Sequence, residues 1–337
     1  MNKVTKLAIS LLVFFNNYII INFYVVPNLY KDVGSSYIYF FIIVIILTGL
    51  LYLIFPKKLK YSLLDEIKAS KIKWFLSIYL SLIAILIVTM SSVCLSAFFY
   101  RKFIPFYFLI AFLLFSNMIR KFSFEALGNS TLLFFLLILF VIVYFLITKS
   151  NNIEIQYIKT LRLNNKIFFY LIYAIFISID NVIFVFITSF SKVRSLKWIL
   201  IPNIVFMLLE LTEGLILISL FGDSLRGYKS FGFLLYNISP RILFIDNLDF
   251  IYIYFITICS VVKLVFAEKL VCYLHNKKNY FSFNILLISL TSFVVLYAWD
   301  LFEEYLSYFI GGLTVLLIII TIYIWRKLNV TNKRTDK

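Results

Sequence analysis

One aspartate, one lysine and two glutamates lie inside long apolar runs, where charge is costly, and they are the residues of this chain best placed to do chemistry. Asp180 stands near the middle of residues 166–190, KIFFYLIYAIFISIDNVIFVFITSF, beside Ser178 and Asn181. About twenty mostly apolar residues cross a hydrocarbon core of ~30 Å. A carboxylate at that depth costs roughly 3 kcal/mol or more unless it faces other protein or a wet cavity. Asp180 and Lys263 each fall about fourteen residues into their runs, ~20 Å along a helix. Glu210 and Glu213 share one helix face at i,i+3 spacing, and Asn16 and Asn17 interrupt the first apolar run. This chemistry is recognition. An ammonium group would sit on Asp180, and a carboxylate on Lys263 or on opened helix ends. Together they suit a small polar or zwitterionic ligand. The same four charges also fit an internal ion-pair network that fixes helix packing, and a lone carboxylate at this depth is open to proton coupling.

Other chemistry is excluded quickly. The single histidine, His275, ends an apolar run, where a solvated cation at a helix C-terminus is the ordinary role. One histidine leaves little room for histidine-based catalysis or metal binding. Cys94, Cys259 and Cys272 fall in or at the ends of apolar runs without metal spacing and read as small buried thiols. No phosphate loop, zinc spacing or nucleophile elbow is present. We therefore expect no enzyme, no metal and no cofactor. A membrane acyltransferase or polysaccharide enzyme of this size would need an intramembrane catalytic base, which the scarcity of histidine opposes.

The elements that position these residues are membrane helices. The chain has 337 residues, 63% of them hydrophobic and 14% charged. Soluble domains are about 45–50% apolar and about 25% charged, so the class is all-α polytopic membrane protein. The long unbroken apolar runs are not those of a β-barrel. About ten spans are expected, near residues 5–26, 36–55, 74–99, 104–119, 131–148, 167–190, 197–221, 249–274, 281–299 and 304–326. They form a single transmembrane domain. The net charge of +16 is not a nucleic-acid signal. With both ends cytoplasmic, 21 of the 32 lysines and arginines fall in inner segments and 10 in outer ones, as orientation signals do. Residues 7–26 follow Lys3 and Lys6 without a small-residue cleavage site and read as the first span. Residues 61–73 form a basic amphipathic segment suited to the inner surface. Residues 227–249 form a half-apolar outer segment, either a lid over an access path or a passive interfacial helix. Residues 327–337 form a short cytoplasmic tail, expected to be disordered from Asn329 onward. The richness in Phe, Ile, Tyr, Asn and Lys points to an AT-rich genome.

Ten spans divide into halves at about 5–148 and 167–326. Asn16-Asn17 in span one and Asp180-Asn181 in span six occupy corresponding positions. Paired interruptions of this kind point to a midplane site in inverted-repeat transporters, although intramembrane asparagines also serve simply to bond neighbouring helices.

The run from Lys166 to Lys277 resembles the B subunit of spore germinant receptors, in the amino acid–polyamine–organocation transporter superfamily. The residues that carry the likeness begin with the phenylalanine-rich, carboxylate-bearing stretch Phe176 to Phe186 and the short inner loop Ser191 to Lys197. They continue with the step from Ser219 to Asp223, then Tyr236, Pro240, Arg241, Asp246, Asp249 and Lys263. The length, the ten spans and the cytoplasmic ends fit as well. The chain departs from the family pattern in lacking the span-one glycines before Val26-Pro27 and in carrying Asp180-Asn181 where a Gly-acid pair is usual. The resemblance implies a LeuT-like, five-plus-five inverted repeat with the ligand between spans one, three, six and eight. It further implies residence in the spore inner membrane or cell membrane, a small germinant such as an amino acid, and partnership with an A subunit and a lipoprotein C subunit. The expected pocket is Asn16, Asn17, Ser178, Asp180, Asn181 and Lys263, with Glu210 and Glu213 as coupling or structural charges. The alternative function is a secondary transporter of amino acids or small organic cations.

Overall fold

A computed structural model of the chain describes residues 5–55, 63–98, 104–119, 121–149, 167–184, 195–227, 249–275 and 280–335. Nearly all of these residues are helical and no strand occurs among them. In chain order the helices are α1 (Lys6–Phe14), α2 (Tyr18–Ile20), α3 (Val26–Val33), α4 (Ile38–Ile54), α5 (Leu63–Ala69), α6 (Ile72–Phe98) and α7 (Pro105–Ile119). They continue with α8 (Phe124–Ser130), α9 (Leu132–Lys149), α10 (Ile167–Asp180), α11 (Lys197–Phe221), α12 (Asp249–His275), α13 (Tyr280–Tyr297) and α14 (Trp299–Thr335). Among the described residues, five helical stretches are long and apolar enough to cross a membrane: Lys6–Ile54, Ile72–Ala97, Phe124–Tyr144, Lys197–Phe221 and Trp299–Lys327. The protein is an all-α membrane protein by these helices.

The apolar runs become helices because a backbone in lipid must satisfy its own hydrogen bonds, and a helix does so within one segment. Exposed side chains are apolar too. On α4, Phe41, Val44 and Thr48 face inward while Ile42, Ile46, Leu50 and Leu53 face out, and outward isoleucine and leucine suit lipid rather than water. α6 is the central helix, with 78% of its most apolar stretch buried, against 33% for α14. Its neighbours explain this: α12, α7, α13 and α14 all pack on it. α4 packs on α11 and α10, α10 on α14, and α1 on α8 and α11. Gly128 lets α8 lie directly on α1, since a Cβ there would stand 2.7 Å from that of Ala8.

Two of the departures from regular helix position the site. α1 ends at Phe14, and the chain turns through Phe15–Asn17 before α2. It then widens into a π-helix at Ile21–Val25. Pro27 follows one residue beyond its end; it has no N–H to give and its ring crowds the carbonyl four residues back, so a wider turn relieves the strain there. Gly34, at φ 63°, ends α3 in a conformation that favours glycine. The second irregular stretch is in span six, where α10 ends at Asp180 and tightens into a 3₁₀ turn over Asn181–Phe184.

Each expected span coincides with a helix or a broken helix, with two adjustments. Helix α14 starts before span ten was expected and runs on to Thr335, so the expected disordered tail is helical over most of its length. Span one continues past residue 26 to Val33. The expected outer lid lies mostly outside the described residues, as do the end of span six and most of the following inner loop.

Candidate functional site

The two irregular stretches meet. Asn16, from the break in span one, donates through Nδ2 to Asp180 Oδ2 and, at 2.8 Å, to Asn181 Oδ1. Its own Oδ1 accepts from Lys263 Nζ at 2.5 Å. Lys263, from the middle of α12, pairs with Asp180 Oδ2 at 2.7 Å and lies 3.4 Å from the backbone carbonyl of Asn16. The other carboxylate oxygen, Oδ1, accepts from the hydroxyl of Tyr79 on α6. Four elements therefore converge on one carboxylate: the turn after α1, α6, the end of α10 and α12. Asp180 is 2% exposed and Lys263 6%, so neither charge has solvent to fall back on.

Local sequence explains why the breaks form without glycine or proline. Asparagine side chains offer backbone-like partners, and here those partners are across the interface rather than local. Asn17 Nδ2 reaches the carbonyl of Ile177 at 3.3 Å. The turn at Phe15–Asn17 is thus held by α10, and the end of α10 is held by that turn. Around it the rings interlock edge to face: Phe15 and Tyr18 on Phe255, at 5.0 and 4.2 Å, and Phe14 on Phe206 at 5.1 Å.

Not every expected residue joins the network. Ser178 is buried, but its hydroxyl turns back to the Ala174 carbonyl at 2.7 Å, with Val44 O at 3.4 Å. Asn181 joins with one end and Asn17 reaches only the Ile177 carbonyl, and Asn17 Oδ1 and Asn181 Nδ2 are buried without a hydrogen-bond partner among the described residues. Glu210 and Glu213 do not share Lys263. Glu210 Oε1 accepts from Asn22 of the π-helix at 2.9 Å. One cation and three carboxylates do not form a single cluster; the lysine serves Asp180 alone. Tyr79 is the member that sequence reasoning missed. It is one of 24 tyrosines, and nothing in its apolar neighbourhood marks it.

Beside the network is a small cavity lined by Leu12, Phe15, Phe184 and Phe266, with Asn16 and Lys263 at its polar edge. Its volume of about 10 Å³ is room for roughly one water molecule. Toward the far end of span one a second polar cluster joins three helices: the Tyr24 and Tyr173 hydroxyls meet Ser307 Oγ at 2.9 and 2.7 Å. No metal-binding group of three or more His, Cys, Asp or Glu occurs among the described residues. At the end of α12, His275 Nε2 lies 2.9 Å from Ser77 Oγ. Neither a scan against protein-family models nor a search of curated proteins finds a match for this chain.

Proposed function

We propose that this chain is a ligand-sensing membrane subunit of the germinant-receptor B type, built on a five-plus-five inverted repeat with all ten spans crossing the bilayer. One observation carries the binding reading: the Asp180–Lys263 pair sits where two interrupted helices meet, at the junction of spans one, three, six and eight. The germinant itself, the spore membrane and the A and C subunit partners come from the resemblance described above.

The packing supports the repeat. Exchanging each span with the one five places away carries the one–seven contact onto six–two. It carries contact between span one and the helix leading into span five onto six–ten. It also carries three–four onto eight–nine and three–nine onto eight–four. Two–seven, three–eight and four–nine map onto themselves. The packing of span ten on span three has no counterpart among the principal contacts.

The geometry also favours a ligand class. Removing one partner from a buried ion pair costs about 3–5 kcal/mol, because the other charge is stranded. A simple amine would displace Lys263 and strand it, and a simple anion would strand Asp180. A zwitterion supplies both charges and strands neither, so an amino acid can open the pair at the least cost. Ligand binding would then favour whichever arrangement of the subunit holds the pair apart, by its differential affinity for that arrangement. The test is thermal unfolding of the purified protein against a panel of amino acids, with matched amines and carboxylic acids as controls. Stabilisation by at least one amino acid, exceeding that by its amine and acid analogues and lost in Asp180→Asn, supports the reading. Equal responses to all three classes, or none, contradict it.

A further inference from the structure

Glu210 and Glu213 lie outside the network above and pose a separate electrostatic problem. They stand one turn apart on α11, 5% and 6% exposed. Asn22 donates to Glu210 at 2.9 Å and also reaches the Tyr18 carbonyl at 3.4 Å. Glu213 Oε1 is buried with no hydrogen-bond partner among the described residues. No cationic side chain pairs with either glutamate among those residues, since Lys263 is held by Asp180 and Asn16. The titratable groups nearest them are phenols. Tyr37, just before α4, meets the Tyr30 ring edge-on at 5.5 Å. Its hydroxyl lies against α11 beside Glu213: a Cβ on Gly214 would stand 2.5 Å from Tyr37 Oη. Of the elements packed on α11, α4 contains no charged residue, and the one charge on α1, Lys6, stands over Trp198 at 5.3 Å, by the far end of α11. The 3₁₀ turn Gly222–Gly227 carries Asp223 and Arg226 at the opposite end of α11, and α9 carries Lys149 at its last residue.

Two carboxylates one turn apart, buried and without a cationic partner, cannot both remain ionised cheaply. The orphaned Glu213 oxygen marks where the missing positive charge belongs. We propose that Glu210 and Glu213 form a binding site for one monovalent cation, a proton or a sodium ion, walled by Asn22 and Tyr37. The site is separate from the Asp180 pocket and does not depend on that pocket's ligand.

The test is thermal unfolding of the purified full-length protein in detergent, wild type against Glu213→Gln. Sodium chloride is compared with choline chloride at equal ionic strength, over a pH series. If sodium is the occupant, replacing choline by sodium raises the wild-type Tm by about 3 °C or more, and Glu213→Gln loses that rise. If a proton is the occupant, sodium has no effect. Repulsion between the two buried carboxylates then makes the folded pair hold a proton that the unfolded chain releases, so wild-type Tm falls as pH rises while Glu213→Gln falls less. Identical behaviour of the two proteins toward both variables overturns the proposal. Should Glu213→Gln not fold, sodium-22 binding to the wild type and its protonated-carboxyl infrared band, compared with Glu210→Gln, decide the matter. Absence of both signals, or signals that Glu210→Gln leaves unchanged, overturns it.

Discussion

The two buried carboxylate regions solve the same problem in opposite ways. Asp180 is paired with a lysine and hydrogen-bonded by Asn16 and Tyr79. Glu210 and Glu213 have one asparagine between them and no cation among the described residues. Burial alone is similar in both places, so burial does not separate them. The charges of the first region are paired within the protein, and the pair must be opened for a ligand to enter. The second is incomplete within the protein and must be completed by something bound. A static ion pair that only fixes helix packing would account for the first region and leave the second unexplained.

The comparison can be broken or sharpened by substitution. The largest effect is expected from Lys263→Met, which strands Asp180 and should cost ~3–5 kcal/mol of stability. Adding Asp180→Asn should return most of that loss, and a double variant as unstable as the sum of the single variants would show that the pair is not coupled. Asn16→Leu comes next, at about 3 kcal/mol, because it removes bonds to Asp180, Asn181 and Lys263 at once. Thermal unfolding of the variant checks this, and a loss no larger than that of a surface substitution would contradict the role of Asn16 as the hub. Tyr79→Phe should cost about 2 kcal/mol, the range for a hydrogen bond to a charged group, read from the same unfolding curves. The smallest change is expected from Glu213→Gln in sodium-free buffer, within about 1 kcal/mol of wild type. It removes a charge that has no cationic partner among the described residues. A loss as large as that of Lys263→Met would mean that Glu213 is paired after all.

Much of this was legible in the sequence, for physical reasons that also mark where legibility ends. Apolar runs of about twenty residues announce helices, and their limits fell within a few residues of the observed ones for most spans. The meeting of Asn16 with Asp180 was legible because polar groups at matched depth have few places to go except toward one another. Tyr79 was not legible, since a tyrosine in an apolar helix looks the same whether its hydroxyl faces a carboxylate or a backbone carbonyl. The separation of Glu210 and Glu213 from Lys263 was also hidden. Depth along a helix gives height in the bilayer but not which way a side chain turns around its axis. The π-helix at Ile21–Val25 follows from Pro27 once seen, yet a proline alone does not say whether the helix will kink, stop or widen. The helical continuation to Thr335 was missed because polar composition was read as disorder, although residues such as Arg326, Lys327 and Asn329 can extend a helix already nucleated by the span before them.

The central claim is that Asp180 belongs to a sensing pocket. On the receptor reading proposed above, the most direct test is ligand-induced germination of spores whose only copy of this chain carries Asp180→Asn, with the amount of protein in the inner membrane measured in parallel. The account predicts lowered abundance, because Lys263 is stranded, with the protein that remains no longer answering one class of germinant while other germinants still act. Normal abundance with an unchanged response to every germinant would contradict it, and so would disappearance of the protein in Asp180→Asn together with an intact response in Asp180→Asn/Lys263→Met.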